Sequence, residues 1–141
     1  MVETNDRKLP VGIQSFEEIR KERYLYVDKT DIIWQLVNGV KKYNYLSRPR
    51  RFGKSVLVDT LEAYFMGKKE LFEGLKIMQM ETEWVKRPVI RLDMSRAGAE
   101  PETLRSYLNN VFRQYEQEYS LVPDPTDSLA DRFNAIIVGA Y

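Results

Sequence analysis

The tripeptide Gly53-Lys54-Ser55 places the strongest constraint on how this chain folds, because it stands between two stretches with different periodicities. Before it, the β-prone run YNYLS from Tyr43 predicts a strand. After it, apolar residues recur at helical spacing and predict a helix that stops at Gly67. A strand, a glycine-containing loop and a helix in this order can enclose an anion with backbone amides and a helix N-terminus.

Each residue of the tripeptide has its own chemical use in such a loop. Gly53 permits close approach of the backbone, Lys54 reaches the β- and γ-phosphates, and Ser55 supplies a hydroxyl ligand for magnesium. A nucleotide and Mg²⁺ are therefore the predicted ligands. The predicted binding residues are Arg50, Arg51, Phe52, Gly53, Lys54, Ser55 and Val56. The alternative is an ordinary glycine turn before an amphipathic helix, with the lysine and serine merely solvated.

The front of this loop departs from the general motif. Arg48 stands where the first glycine normally occurs, and Pro49 has no N–H to donate. The front edge must therefore differ from the usual loop, whereas the rear, formed by amides from Arg51 to Ser55, can survive. The arginines also bring positive charge that can bind phosphate or pair with a carboxylate, unless they are simply exposed.

Composition narrows the class of protein. The 141 residues are the length of one domain, and 22 basic against 21 acidic side chains leave no global field that favours nucleic acid. Cysteine and histidine are both absent, which excludes thiolate zinc sites and the commonest general base. No apolar run is long enough to span a bilayer and the N-terminus lacks a signal-peptide core, so we expect a cytoplasmic protein with no membrane partner.

Helices and strands are predicted to alternate along the chain. Besides the helix after the loop, helices are predicted after the capping pattern at Ser15, from Asp28 or Thr30, at Pro101, and after Asp127 or Ser128. Strands are predicted in YLYV from Tyr24, in YNYLS, and in PVIRLDMS from Pro88. This alternation predicts an α/β fold, a P-loop NTPase-like three-layer domain with a mainly parallel sheet, although the visible strands are few.

Two further stretches carry candidate ligand residues. Asp93 ends an apolar run, so it is a candidate magnesium or water contact, or else a residue that caps the following turn. Tyr24, Tyr26 and Lys29 could border a nucleotide base, although tyrosines in such a run more often pack against the core.

The segments LPVGIQSFEEIR, YLYVDKT, YLSRPRRFGKS, LEAYFMGKKELFEGL and RPVIRLDMS occur in that order over nearly the whole chain. Together they resemble the bacterial and archaeal AAA-ATPase-like proteins, which often carry a C-terminal nuclease-like domain of the PD-(D/E)XK type. The resemblance implies that SRPRRFGKS is the family's own phosphate loop, that ATP is the nucleotide, and that Asp93 has a structural role.

The resemblance also implies what should follow the chain. A strand similar to IDEYD, with the Walker B carboxylates, is expected shortly after Tyr141, so the chain is expected to be truncated before that strand. Residues 1–42 would then be an N-terminal helical and strand extension, and residues 43–141 a partial P-loop core. No catalytic residue can be assigned within the chain, and we expect weak or no ATP hydrolysis by it alone.

Two alternatives to nucleotide binding remain open. One is a nucleic-acid-binding module built on a basic patch with interleaved tyrosines, and nucleic acid is also a candidate partner of the full-length protein. The residues of this patch are Lys41, Lys42, Tyr43, Tyr45, Arg48, Arg50, Arg51 and Lys54. The other is a structural remnant whose uncovered apolar faces make it aggregate or depend on a partner.

Overall fold

The computed structural model of the chain describes residues 7–41, 43–49 and 51–141. The α-helices in these ranges are α1 (Phe16–Lys21), α2 (Thr30–Asn38), α3 (Lys54–Phe65), α4 (Pro101–Glu118) and α5 (Leu129–Gly139). Short 3₁₀ helices span Lys69–Phe72, Lys76–Gln79 and Met94–Arg96. The chain divides into two compact units, of which the first ends at Val89 and the second is Ile90–Tyr141. The predicted boundary at residue 43 falls inside the first unit.

The helix starts predicted from Ser15, Pro101 and Ser128 are confirmed, and residues next to each start explain them. The Ser15 hydroxyl accepts a 3.3 Å hydrogen bond from the amide of Glu18 at the start of α1. Ser128 and Asp131 form a reciprocal capping box at the start of α5. Pro101 occupies the first position of α4, where a missing N–H costs nothing.

The prediction of an α/β domain with three layers and a mainly parallel sheet is wrong, because the described residues form helices and contain no strand. The segments predicted as strands pair with no neighbouring strand, and several of their amides donate to other acceptors. In the second unit, Arg91 donates its amide to the Tyr115 hydroxyl at 2.8 Å, and Asp93 donates its amide to the Tyr107 hydroxyl at 2.7 Å. Two tyrosines of α4 thus occupy the positions that a neighbouring strand would need, since alternate amides of a strand face the same side.

In the first unit, too, an amide of a predicted strand donates to an acceptor that belongs to no strand. The amide of Leu25, in the predicted YLYV strand, donates a 2.9 Å hydrogen bond to the carbonyl of Lys8. A β-prone sequence favours extended backbone, but a sheet also requires a partner segment at the right distance. In the described residues that partner is missing, and none of the runs is a strand.

The core of the first unit forms where α1, α2 and α3 meet the two 3₁₀ helices that follow. Its buried members are Phe16, Ile33, Ala63, Leu71, Phe72, Leu75 and Ile77. Phe72 lies at the centre, with its ring centroid 5.1 Å from that of Phe16 and 5.0 Å from that of Trp84. This packing fixes α3 against α1 and so holds the N-terminus of α3 in place.

A buried polar link joins α2 to the 3₁₀ helix at Lys76–Gln79. The fully buried Thr30 hydroxyl donates to the Asp28 carboxylate at 2.7 Å and accepts from the Ile77 amide at 3.1 Å. The other Asp28 carboxylate oxygen accepts from the Lys76 amide at 2.7 Å. Asp28 also accepts the Thr30 amide at 2.9 Å, next to Lys29, which holds the N-cap position of α2 without a side-chain cap.

The second unit is built on α4 and α5. Phe112 of α4 stacks on Phe133 of α5 with centroids 5.4 Å apart, and Ile136 is fully buried. Arg132 of α5 forms two hydrogen bonds to the buried Glu116, at 2.7 and 2.8 Å. Arg132 also donates to the Asn109 side chain at 2.5 Å, which holds its guanidinium fixed between the helices. Across the described ranges, no helix combines the length and apolarity that crossing a bilayer requires.

Candidate functional site

The N-terminus of α3 presents backbone amides without protein acceptors from its own helix. Gly53 precedes the helix with φ 74° and ψ 18°, a left-handed conformation that suits glycine, and no side chain caps it. The first intrahelical hydrogen bond is donated by Leu57 to the Gly53 carbonyl at 3.0 Å. The amides of Lys54, Ser55 and Val56 therefore have no acceptor within the helix. All three are directed toward the N-terminal end, where an anion could accept from them.

The first turn of α3 differs in charge from the first turns of the other described α-helices. The first turns of α1, α2, α4 and α5 each contain an acidic residue, which complements the helix dipole. Among the described α-helices, α3 alone has no acid in its first turn and begins with Lys54. A cation at this end opposes the dipole, so the local electrostatics favour an anion supplied from outside the helix.

The loop before α3 is folded back on itself. The Lys54 ammonium group donates a 2.7 Å hydrogen bond to the Arg48 carbonyl, and the Arg48 guanidinium donates to the Phe52 carbonyl at 3.5 Å. Arg51 has φ 67°, a left-handed conformation that is costly for a residue with a side chain. Such strain is retained where the surroundings require it and is common at ligand-binding sites.

A cleft of about 750 Å³ opens at this terminus. Five of the predicted binding residues line it, namely Arg51, Gly53, Lys54, Ser55 and Val56. Phe52 is 63% exposed and is not among the lining residues. Arg50 lies outside the described residues, as does Lys42 of the basic patch. The structure thus brings most of the predicted set to one cavity.

The opposite wall of the cleft was missed by the sequence reasoning. Pro10, Gly12, Ile13 and Gln14 line it, and a 3.4 Å hydrogen bond from the Ile13 amide to the Pro10 carbonyl closes the turn around Gly12. Gly12 has φ 77°, as such a turn requires. The Pro-Val-Gly sequence predicts a turn, but nothing local indicates that it faces a loop 40 residues further along the chain.

Asp93 is held by its own turn. Its carboxylate accepts hydrogen bonds from the Ser95 amide at 3.1 Å and the Ser95 hydroxyl at 2.5 Å, and it pairs with Arg96 at 3.4 Å. These hydrogen bonds from Ser95 lower the pKa of Asp93 below its usual value. Asp93 belongs to the second unit and does not line the cleft. Its contacts are those of a residue that caps a turn, and a magnesium role for it stays a prediction.

The tyrosines weighed as base-binding residues lie elsewhere. Tyr26 packs edge-on against Phe16 with centroids 5.2 Å apart, and burial raises the pKa of its hydroxyl. Tyr24 lines a different cleft, next to Arg20 and Glu73. Lys29 is the residue preceding α2. None of the three residues Tyr24, Tyr26 and Lys29 lines the cleft at α3.

The cleft residues fit a polyphosphate. Three helix amides, the Lys54 ammonium and the Arg51 guanidinium are donors or cations, and none of the described lining residues is acidic. For magnesium the described lining offers the Ser55 hydroxyl, next to the helix amides, which suits an ion that takes most of its remaining ligands from phosphates and water. Within the described ranges no cluster of three or more acidic side chains could hold a metal by itself.

Comparison with known proteins places the chain in a family. A family model described as "Predicted AAA-ATPase", of the AAA-ATPase-like family, matches residues 10–141. A protein of Azotobacter chroococcum mcd 1, described as an uncharacterized protein in the vnfD 5' region, is 48% identical over 88 residues. That match covers 61% of this chain and only 17% of the relative's length. No solved structure matches the chain. The extent of the family match shows that the chain belongs to the AAA-ATPase-like family.

Proposed function

We propose that the chain binds ATP with Mg²⁺ through a variant Walker A loop at the N-terminus of α3. The observation that carries the proposal is that an uncapped helix N-terminus, with Lys54 in place of an acid, opens on a cleft of about 750 Å³. Cavities of roughly 300–1,000 Å³ are typical of small-ligand sites. The proposal depends on the loop and the helix, and no sheet is needed for it.

The roles of the residues follow from their positions. The amides of Lys54, Ser55 and Val56 would donate to phosphate oxygens, and the Lys54 ammonium would exchange its bond to the Arg48 carbonyl for a bond to phosphate. Arg51, which lines the same cleft, would add a second cation. The Ser55 hydroxyl would contact the magnesium ion, which balances the charge of the phosphates.

Hydrolysis needs a group that orients water, and none of the described residues that line the cleft is a carboxylate. Binding without efficient turnover is therefore the expected activity of this chain. A full-length protein that hydrolyses ATP, carries a nuclease-like domain or acts on nucleic acid stays a prediction from the family resemblance.

Isothermal titration calorimetry of the 141-residue chain with Mg-ATP tests the proposal. We expect one site per chain, weakened by Lys54→Ala and by removal of magnesium. The control is Lys69→Ala, which removes an exposed lysine of the 3₁₀ helix at Lys69–Phe72 and should leave the affinity unchanged. Absence of ATP binding by the unaltered chain, or equal binding by the Lys54→Ala chain, would contradict it.

Nucleic-acid binding is a second candidate, favoured by the exposure of Tyr43 and Tyr45, at 92% and 93%, in the segment that precedes Arg48. Aromatic faces beside cations bind single strands in a strongly salt-dependent way. A salt series with a short single-stranded oligonucleotide distinguishes the two functions. Oligonucleotide binding that disappears as salt rises, without saturable ATP binding, would favour this candidate over the nucleotide site.

A further inference from the structure

Resting on the proposed nucleotide site, we infer that the turn at residues 10–14 forms the base-binding wall of the cleft and that Gln14 selects adenine. Phosphate would occupy only part of the cavity. A triphosphate engages the end formed by Lys54 and Ser55, whereas the facing wall consists of Pro10, Gly12, Ile13 and Gln14.

The chemistry of this wall matches a nucleobase rather than a phosphate. Among the side chains that line the cavity from this turn, those of Pro10 and Ile13 are apolar and none is charged. Apolar surface with one or two placed polar groups is the usual composition of a site that holds a flat organic ring. Val56 contributes a further apolar side chain from the first turn of α3.

The turn is held in place independently of any ligand. The Lys8 carbonyl accepts the Leu25 amide at 2.9 Å, the Pro10 carbonyl accepts the Ile13 amide at 3.4 Å, and Ser15 caps α1 directly afterwards. Phe16, the first residue of α1, is fully buried in the core. Gln14 therefore lies two residues before an immobilised position and faces the cleft from a fixed backbone.

Gln14 is the polar side chain that this turn contributes to the cleft, and its amide both donates and accepts. Adenine presents an acceptor at N7 beside a donor at N6, so a glutamine amide can make two hydrogen bonds to it. Guanine presents acceptors at both N7 and O6, which leaves the glutamine carbonyl without a partner. Gln14 therefore discriminates ATP from GTP through the base, not through the phosphates.

The test compares ATP, GTP and inorganic tripolyphosphate on the full 141-residue chain, all with Mg²⁺, by calorimetric titration. We expect the unaltered chain to prefer ATP over GTP. Gln14→Ala should weaken ATP about tenfold or more, in line with the discrimination that a bidentate pair provides, and should leave GTP and tripolyphosphate unchanged. Gln14→Glu keeps the acceptor for adenine N6 but loses the donor to N7, so it should weaken ATP while still disfavouring GTP, because guanine offers no donor on this edge.

Val11→Ala is the matched control, because Val11 belongs to the same turn, is 85% exposed and does not line the cleft. It should bind all three ligands as the unaltered chain does, and circular dichroism checks that each variant is folded. Equal weakening of ATP, GTP and tripolyphosphate by Gln14→Ala, or an unchanged ATP preference, overturns the base-reading role while the phosphate site stands. If the unaltered chain does not bind ATP or tripolyphosphate, the proposed function itself fails.

Discussion

The Lys54 ammonium group donates a 2.7 Å hydrogen bond to the carbonyl oxygen of Arg48, six residues earlier in the chain. This bond closes the loop over the N-terminus of α3 and places the cation where the helix dipole favours an anion. Both residues are exposed, so the bond contributes little to the stability of the fold. The bond matters because it holds the Lys54 ammonium at the N-terminus of α3.

Lys54→Ala should therefore weaken ATP binding without unfolding the chain. A hydrogen bond to a charged group contributes about 1.5–3 kcal/mol, which corresponds to roughly a 10- to 100-fold loss of affinity. Calorimetric titration measures the affinity, and urea denaturation measures the free energy of unfolding. A variant that lost much of its stability but kept its ATP affinity would show that the lysine has a structural role instead.

Gly53→Ala tests the left-handed backbone at the helix start. A Cβ at Gly53 meets no atom within 4 Å, so the cost comes from φ 74° alone, about 1–2 kcal/mol. Gly74→Ala is a matched control, since Gly74 has φ 76° and equally open surroundings but lies outside the cleft. We expect similar losses of stability in both variants and a loss of ATP affinity only in Gly53→Ala. Equal ATP affinities in the two variants would argue against the site.

Thr30→Val removes the hydroxyl that links α2 to the 3₁₀ helix at Lys76–Gln79. The variant leaves the buried Ile77 amide without its acceptor, which costs about 1–3 kcal/mol. The exposed Thr82 provides the control, since Thr82→Val should change the free energy of unfolding by less than about 0.5 kcal/mol. Equal stability of the two variants would mean that water replaces the lost bond.

Glu116→Ala should strongly destabilise the second unit. It leaves Arg132 charged, largely buried and without its carboxylate, at a cost of about 3–5 kcal/mol. The exposed Glu118 on the same helix gives the control variant Glu118→Ala. Replacing the pair together, with Glu116→Leu and Arg132→Met, should recover most of the loss because neither charge is then stranded. Chemical denaturation followed by circular dichroism measures all four chains.

Stability at alkaline pH should depend on Tyr64. Burial, together with its hydrogen bond to Glu81, raises the pKa of Tyr64 from 10.0 to about 12. Between these values the unfolded chain loses the phenolic proton while the folded chain keeps it, so stability is fully present below pH 10 and falls as the pH rises to about 12. Tyr64→Phe should flatten this decline, as measured by urea denaturation at several pH values.

The control for the alkaline experiment is Tyr43→Phe, at a tyrosine that is 92% exposed. This variant should show the same decline as the unaltered chain. Ultraviolet absorbance of phenolate gives an independent measure, because one tyrosine fewer should titrate near pH 12 in the Tyr64→Phe chain. An identical pH dependence in all three chains would contradict the assignment.

Part of the candidate site could be predicted from sequence because its chemistry is local. Gly53, Lys54 and Ser55 are adjacent, and the geometry of a glycine before a helix start places them together without help from distant residues. The role of residues 10–14 could not be predicted, since their position opposite α3 depends on how α1 packs against the core.

The sequence by itself determined where α1, α4 and α5 begin. Ser15 and Ser128 accept from amides three residues further on, and Pro101 lacks an N–H only where a helix start leaves that N–H unused. Only the tertiary structure decided what the β-prone runs became. A strand exists through hydrogen bonds to a second segment, and here the amides of Arg91 and Asp93 are taken by tyrosines of α4. The buried link from Thr30 to Ile77 likewise joins residues 47 positions apart, a contact that no local pattern specifies.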